Sequence, residues 1–358
     1  MNAVFGVLFH FIGGFASGSF YVPYKKVEGW SWESMWIVGG LFSWIIVPPF
    51  AAWLTIPNFW EIISNAQAAT LYYTFLFGLL WGIGGLTYGL GIRYLGVSLG
   101  SSIILGLSMV FGSLMPSLYY FFYPTVGKHG VNYFFTTQSG TCILIGLLIC
   151  LMGVVLCGRA GVSKEKSLAT LSKDARTDYN FTLGIIVAII SGVLSACFNF
   201  GIEAGKPLAN VANSIWKNSN SNSGEFLYQN NVTYIIILWG GFTTNFIWCV
   251  YLLIKNRTFS DYTKSNVPKV KNLLFCALAG TMWYLQFFFY GMGESRLGNG
   301  ASSWILHMAF IILISNAWGI ILNEWKGVNR MAYRSIIAGI ATIIISICVV
   351  GFARTLEN

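Results

Sequence analysis

Ten apolar runs divide this chain, each long enough to cross the hydrocarbon core of a bilayer, and no soluble fold has a use for ten of them. A helix needs about 20 predominantly apolar residues for that crossing. The runs lie near 4–22, 33–54, 71–93, 98–122, 139–158, 181–203, 232–254, 272–293, 301–322 and 334–354. Strands of a membrane barrel would alternate apolar and polar positions over about ten residues, whereas the stretch IIVAIISGVLSACF is apolar on every face. The expected fold is all-α, a polytopic membrane protein with ten transmembrane helices. Charge agrees with this: 9% of residues are charged, against about 25% in soluble domains. The 40 Gly and 14 Trp fit as well, because Gly lets membrane helices approach closely and Trp settles at the lipid interface.

Several function classes fall away on the same grounds. A net charge of +9 would suit nucleic acid only if the basic residues clustered on a solvated face, and here they sit between apolar runs. All seven cysteines lie inside those runs, so they read as small buried apolar residues rather than a disulfide framework or a metal site. The first run has neither a basic residue ahead of it nor an evident cleavage site, which argues against a removed signal peptide. No Walker A loop, H-E-x-x-H or Cys/His cluster is present, so neither ATP, a metal nor another cofactor is implied. A membrane-embedded enzyme is the rival from a different class. Its one motif, Gly96-Val97-Ser98-Leu99-Gly100, fits G-x-S-x-G, but that elbow has meaning only between a strand and a helix of a hydrolase sheet.

Lys and Arg are retained on the cytoplasmic side, so their distribution sets the expected orientation. One set of alternate loops, with the adjoining helix ends, holds 16 of them, and the termini with the other loops hold five. Both termini are therefore expected outside. The stretch from Asn213 to Phe226, NSIWKNSNSNSGEF, becomes an external loop that is flexible by composition.

The two halves of the chain repeat one another. At an offset of 178 the first run matches the sixth at Gly6/Gly184, Ile12/Ile190, Gly14/Gly192, Ser17/Ser195 and Phe20/Phe198. At an offset of 202 the third and fourth match the eighth and ninth, among others at Gly78/Gly280, Trp81/Trp283, Tyr88/Tyr290 and Leu95/Leu297. Residues 1–160 form a first five-helix repeat, 161–180 a cytoplasmic connecting loop and 181–358 a second repeat. Five is odd, so the second copy enters the membrane from the opposite side. Inverted repeats of this kind build many secondary transporters, with the substrate site at mid-membrane between the repeats.

The stretches FYVPYKKVEGWSWESMW (20–36), WGIGGLTYGLGIRYLG (81–96), MWYLQFFFYGMG (282–293) and SWILHMAF (303–310), with NEWKG at 323–327, resemble the L-rhamnose-proton symporter family of bacteria. That family belongs to the drug/metabolite transporter superfamily, which is similarly built from two inverted five-helix halves. The resemblance implies uptake of L-rhamnose, a neutral 6-deoxyhexose, coupled to proton entry across the bacterial cytoplasmic (inner) membrane. The proton would be the coupling ion, and no other cofactor is implied. The sugar and the lipid bilayer are the expected partners, nucleic acid is not, and oligomeric state is left open. Export, or import of another sugar or small metabolite, fits the repeat equally well.

Polar groups inside a membrane are costly enough to be functional candidates. His10 and His307 each lie about six residues from an outer helix end, roughly 10 Å deep. Gln286 belongs to the same layer, Trp283 and Tyr290 share its face by i, i+3, i+4 spacing, and Trp304 shares that of His307. Imidazoles, an amide and indole faces suit a sugar whose hydroxyls hydrogen-bond while its C–H face packs on aromatic rings. Asn199, near the outer end of the sixth run, is a further candidate. Against each stands a plainer reading: a buried His bonded to a carbonyl, a Trp packed between helices, a Gln tying two helices. Proton coupling falls to His10, His307 or Glu33. Glu33 lies in the WSWE motif just after Ser31, where helix capping is the alternative. Glu203 and Glu294, with Lys206 and Arg296 close by, read as interfacial ion pairs.

Overall fold

The computed structural model describes residues 2–95, 97–125, 127–169, 180–220, 224–323 and 325–356. Among them ten helices are long and apolar enough to cross a membrane: α1 (Ala3–Tyr24), α2 (Trp32–Thr55), α3 (Ala68–Leu95), α4 (Leu99–Phe122), α5 (Gln138–Lys164), α6 (Phe181–Ala204), α7 (Asn231–Lys255), α8 (Lys269–Leu297), α9 (Gly300–Ile321) and α10 (Arg330–Leu356). No strand occurs among the described residues. Large apolar side chains such as Val4, Trp53, Ile254, Leu274 and Ile345 stay exposed, as expected of surfaces covered by lipid rather than protein.

Helix packing follows the sequence repeat. α1 packs on α8 and α9, and α6 packs on α3 and α4; α2 lies on α8, and α7 on α3; α5 pairs with α10. Exchanging each helix with the one five places on leaves this scheme unchanged, and individual contacts obey it too. A methyl group placed on Gly6 would lie 2.7 Å from Leu297 Cγ, and one on Gly184 would lie 2.6 Å from Leu95 Cγ; the two offsets carry the first pair onto the second. The same offsets carry Gly13 to Ser191 and Gly84 to Gln286. Gly13 abuts the Gln286 carbonyl, and Ser191 Oγ donates to the Gly84 carbonyl at 2.9 Å.

Two irregularities shape the bundle. In α2 the turn widens to a π-helix over Leu41–Ile46, where the Val47 N–H reaches back five residues to Phe42 O. Pro48 and Pro49 follow and have no N–H to continue the ladder. This segment carries Trp44, which is buried. Between α8 and α9 the chain turns on two residues: Gly298 at φ +69°, a conformation glycine adopts without strain, and Asn299, whose side chain accepts from Ser302 N.

Three expectations need correction. The polar stretch after α6 is not a loop over its whole length, because a surface helix covers Lys206–Ser219. Leu208, Ala209 and Ala212 fall on one stripe and are buried, Pro207 suits a first turn, and Phe226 folds back to stack on Trp216 at 5.3 Å. Residues 221–223 of that stretch lie outside the described residues. The fifth helix does not end near 158 but continues to Ala169, while 170–179 of the expected connecting loop lie outside the described residues. Of the cysteines, Cys348 is exposed and Cys142 half-buried, with the other five buried.

Membrane helices gain nothing from exchanging lipid for protein at their apolar faces, so close backbone approach must hold them together. Gly78 on α3 presses on the Ile237 carbonyl of α7, and its repeat mate Gly280 on α8 presses on the Gly39 carbonyl of α2. Gly78→Ala and Gly280→Ala should each destabilise the protein in detergent by about 1–3 kcal/mol, because backbone cannot swing aside. Gly85→Ala, where nothing lies within 4 Å, should leave the thermal midpoint in place; equal midpoints for all three variants would remove the packing argument.

Candidate functional site

Four rings meet where α1, α8 and α9 converge. His10 of α1 stands 5.3 Å from Tyr290 of α8 and 6.4 Å from His307 of α9, between ring centroids. Tyr290 is 5.1 Å from His307 and 6.1 Å from Trp304, and Trp304 is 6.1 Å from His307. All four are buried. Both ring nitrogens of His10 and Nδ1 of His307 are buried without a hydrogen-bond partner in the protein. The plain reading of a core histidine satisfied by a carbonyl therefore fails for His10. Buried polar atoms left unpaired cost about 1–3 kcal/mol each, so this layer is poised to gain from any guest that brings hydroxyl groups.

The surrounding helices fix the rings. Trp304 Nε1 donates to Ser108 O of α4 at 3.0 Å, and the indole lies against Gly112, where a Cβ would collide with it. Asn199 Nδ2 donates to Gly112 O at 2.7 Å, and its Oδ1 accepts from the Tyr290 hydroxyl at 3.3 Å. Asn199 thus joins the layer as the link between α6, α4 and α8. On the other side His10 is wedged against Gly293, where a methyl group would sit 2.7 Å from Nε2. Ser108, Gly112 and Gly293 were invisible as site residues. For Gly112 and Gly293 the one signal is a glycine one or two turns from a large ring on a facing helix.

Two sequence candidates lie elsewhere. Trp283 stands two turns along α8 from Tyr290, in a cluster with Trp44 at 5.3 Å and Trp81 at 5.5 Å. Phe287, 5.0 Å from Trp283 and 6.2 Å from His307, separates that cluster from the imidazoles. Trp283 instead borders a narrow crevice with Phe20, Tyr24, Trp36, Ser43 and Trp44, whose space of about 10 Å³ has room for no more than a water molecule. Gln286 is buried, and its Nε2 donates to the Trp283 carbonyl of its own helix at 2.8 Å. Phe287, which sequence reasoning passed over, faces His307 and stacks on Phe198 at 3.9 Å.

Charged groups close the two ends. On the side of the chain termini, Glu203 of α6 accepts from Lys128 and from the Tyr120 hydroxyl, the latter at 2.6 Å. Glu294 of α8 pairs with Lys206 at 3.2 Å and accepts from Asn230 at 2.6 Å. Of the two cations expected, Lys206 pairs with Glu294, Glu203 is held instead by Lys128, which sequence proximity did not reveal, and no ion pair to Arg296 occurs among the described residues. Burial would lower the Lys206 ammonium, but Glu294 and Glu203 outweigh it and hold its pKa above the ordinary lysine value. Glu33 lies at the opposite end, where Oε1 accepts from Asn256 at 2.9 Å and Thr258 at 2.8 Å. It ties α2 to the chain leaving α7, and no ring or hydrogen-bond contact joins it to the imidazole layer. Ser31 makes no cap bond to its own helix; its N–H and hydroxyl both donate to Asp261. Of the G-x-S-x-G stretch, Gly96 and the side chain of Ser98 lie outside the described residues, as does Glu324.

The sequence model described as L-rhamnose-proton symport protein (RhaT) matches residues 1–355. An L-rhamnose-proton symporter of Pectobacterium atrosepticum is 36% identical over 351 residues, covering 97% of this chain and 96% of the relative. Those of Yersinia pestis and Yersinia pseudotuberculosis are 35% identical over 353 residues, covering 97% of each chain.

Asp261 supplies a pH test of the end opposite the termini. Burial raises its carboxyl, but the Lys264 ammonium, the Ser31 N–H and the hydroxyls of Ser31 and Ser34 outweigh this and hold it well below the usual carboxylate range. A group with a depressed folded pKa stabilises fully above its unfolded value, about 3.9, and loses that contribution as pH falls toward the folded one. Asp261→Asn should therefore lower the thermal midpoint at pH 7, with the gap to the parent narrowing below about pH 4. A gap that is constant with pH would contradict the assignment.

Proposed function

The chain belongs to the L-rhamnose-proton symporter family, and from that membership we propose that it carries L-rhamnose into the cell together with a proton. The observation that supports this reading is the layer of His10, Tyr290, Trp304 and His307. A neutral deoxysugar brings no charge to be balanced; it needs hydrogen-bond partners for its hydroxyls and flat apolar surface for its C–H face and methyl group. Unpartnered imidazole nitrogens provide the first, and the indole and phenol rings the second. Asn199 orients Tyr290 within this layer. Trp283 packs in the neighbouring cluster of Trp44 and Trp81, and Gln286 serves to shape α8 between them.

Residues 1–160 and 181–358 act in this reading as two inverted five-helix repeats, a relation that the exchange symmetry of the helix contacts supports. The Lys/Arg count puts both termini outside a bacterial inner membrane, so the Glu203 and Glu294 end faces the exterior and the Glu33 end faces the cytoplasm. In the conformation described, ion pairs close the exterior end, and the crevice beside Trp44 is too narrow to admit a sugar. The proton acceptor belongs in or beside the imidazole layer, where sugar and proton can sense one another. Glu33 does not meet that requirement as placed and serves to tie α2 to α7.

In proteoliposomes, L-rhamnose should accumulate when a pH gradient is imposed and stop accumulating when a protonophore removes it. Accumulation indifferent to the protonophore would contradict symport. His10→Ala and His307→Ala should each weaken sugar affinity by roughly 5- to 150-fold, the effect of losing one buried hydrogen bond of about 1–3 kcal/mol; binding isotherms with unaltered affinity would place the sugar elsewhere.

A further inference from the structure

The exterior ion pairs do more than seal the bundle end, because of where their carboxylates stand. Glu294 follows Tyr290 by one turn of α8, and Glu203 follows Asn199 by one turn of α6. Each carboxylate therefore begins about 5 Å nearer the exterior than a residue of the sugar layer. Residue 293, next to Glu294 in the chain, is the glycine against which His10 is wedged. Three carboxylate residues in the described chain are buried: Glu33, Asp261 and Glu294. The first two lie at the cytoplasmic end, with Glu33 held by the uncharged donors Asn256 and Thr258 and Asp261 by Ser31, Ser34 and Lys264. Glu294 alone among them lies beside the sugar layer and is paired with a cation from outside the bundle.

That cation is Lys206, the first residue of the surface helix Lys206–Ser219. The second ligand of the carboxylate, Asn230, immediately precedes α7. One negative charge thus holds three elements together over the layer: α8, the entry to α7 and the surface helix. We propose that Glu294 takes up the symported proton and that its ion pair with Lys206 is the exterior gate, an inference that rests on the symport reading above.

The chemistry is a single proton transfer. With Glu294 ionised the pair is closed, as in the structure. Opening parts Lys206 from the carboxylate and admits exterior water, from which a proton bonds to a carboxylate oxygen. The O–H bond formed replaces the ion pair, Lys206 keeps its own proton and is solvated, and no redox partner is needed. A neutral Glu294 no longer attracts Lys206, so the open gate persists until sugar occupies the layer below. Closure brings Lys206 back against the carboxylate; the O–H bond breaks, the ion pair re-forms, and the proton passes to water on the cytoplasmic side as the sugar leaves.

The neighbouring groups set the balance. Lys206 and Asn230 contact the carboxylate directly. Tyr234 of α7 and Tyr290 of α8 lie within its electrostatic reach, as does Tyr120 of α4. Glu203, with its own Lys128, and Glu225 act on the same Lys206. Arg354 at the end of α10 lies against Gly298, one turn on. Two further carboxylates competing for one ammonium keep the Lys206–Glu294 pair breakable.

The test reads protons moved per sugar, using full-length protein in liposomes with an internal pH dye and labelled L-rhamnose. Wild type driven by a rhamnose gradient alone should acidify the lumen; if it transports rhamnose without acidification, the symport reading itself is wrong. With coupling present in wild type, Glu294→Gln should exchange labelled for unlabelled rhamnose across the membrane while its proton-to-sugar ratio falls to background. Glu294→Asp, which can titrate, should restore coupling with a displaced pH profile. A Glu294→Gln variant that acidifies the lumen at the wild-type ratio overturns the proposal. Should Glu294→Gln fail to fold, the Asp variant decides: coupling with an undisplaced pH profile overturns it, and a displaced profile supports it.

Discussion

Everything in this structure depends on how closely its helix backbones approach one another. Lipid is as apolar as the helix faces it contacts, so burial of leucine and isoleucine gives the bundle little preference for its own neighbours. What distinguishes the native packing is contact between backbones at glycine: Gly78 on the Ile237 carbonyl, Gly280 on that of Gly39, Gly13 on that of Gln286. These contacts recur between the halves, so the helices that carry the site are placed twice over by one geometrical solution. α8 is the clearest case. Gly280 docks it to α2, Gln286 O sits under Gly13 of α1, and Gly293 makes room for His10, so the spacing of three positions along one helix sets where the imidazole meets the tyrosine.

Tight backbone packing has a consequence for chemistry. Within a closely packed layer a polar atom without a partner in the protein has little freedom to find one, and His10 holds two such atoms. Affinity for a polyol then needs no new charge, only the replacement of missing hydrogen bonds. None of His10, Tyr290, Trp304 or His307 offers a fixed counter-charge, and burial makes an unpaired ion costly. The ion pairs are kept one turn away, where they bind helices to one another rather than to the guest.

How much of this could be read from the residues differs by kind. The spans were legible because about 20 apolar residues in a row have one explanation. Depth in the membrane was legible too, which is why His10, Tyr290, Trp304 and His307 come together as expected. Azimuth was not. α8 and α9 are flanked by protein on several sides, so they carry no polar face to orient them, and spacing alone cannot separate the direction of Trp283 and Gln286 from that of Tyr290. The structure puts Phe287 between Trp283 and His307 instead. The surroundings of Glu33 are hidden for a related reason: its partners Asn256 and Thr258 lie more than 200 residues away in the chain. The surface helix Lys206–Ser219 was hidden by its Asn and Ser content, although Leu208, Ala212 and Trp216 carry its i, i+4 stripe.

The central claim, that the sugar occupies the layer of imidazole and aromatic rings, is tested most directly by determining the structure with L-rhamnose bound. Hydroxyl oxygens within hydrogen-bond reach of ring nitrogens of His10 and His307, with Trp304 or Tyr290 against the sugar's C–H face, is the predicted result. A sugar seated only among Trp36, Trp44 and Trp283, with the imidazole nitrogens still unpartnered, would contradict it.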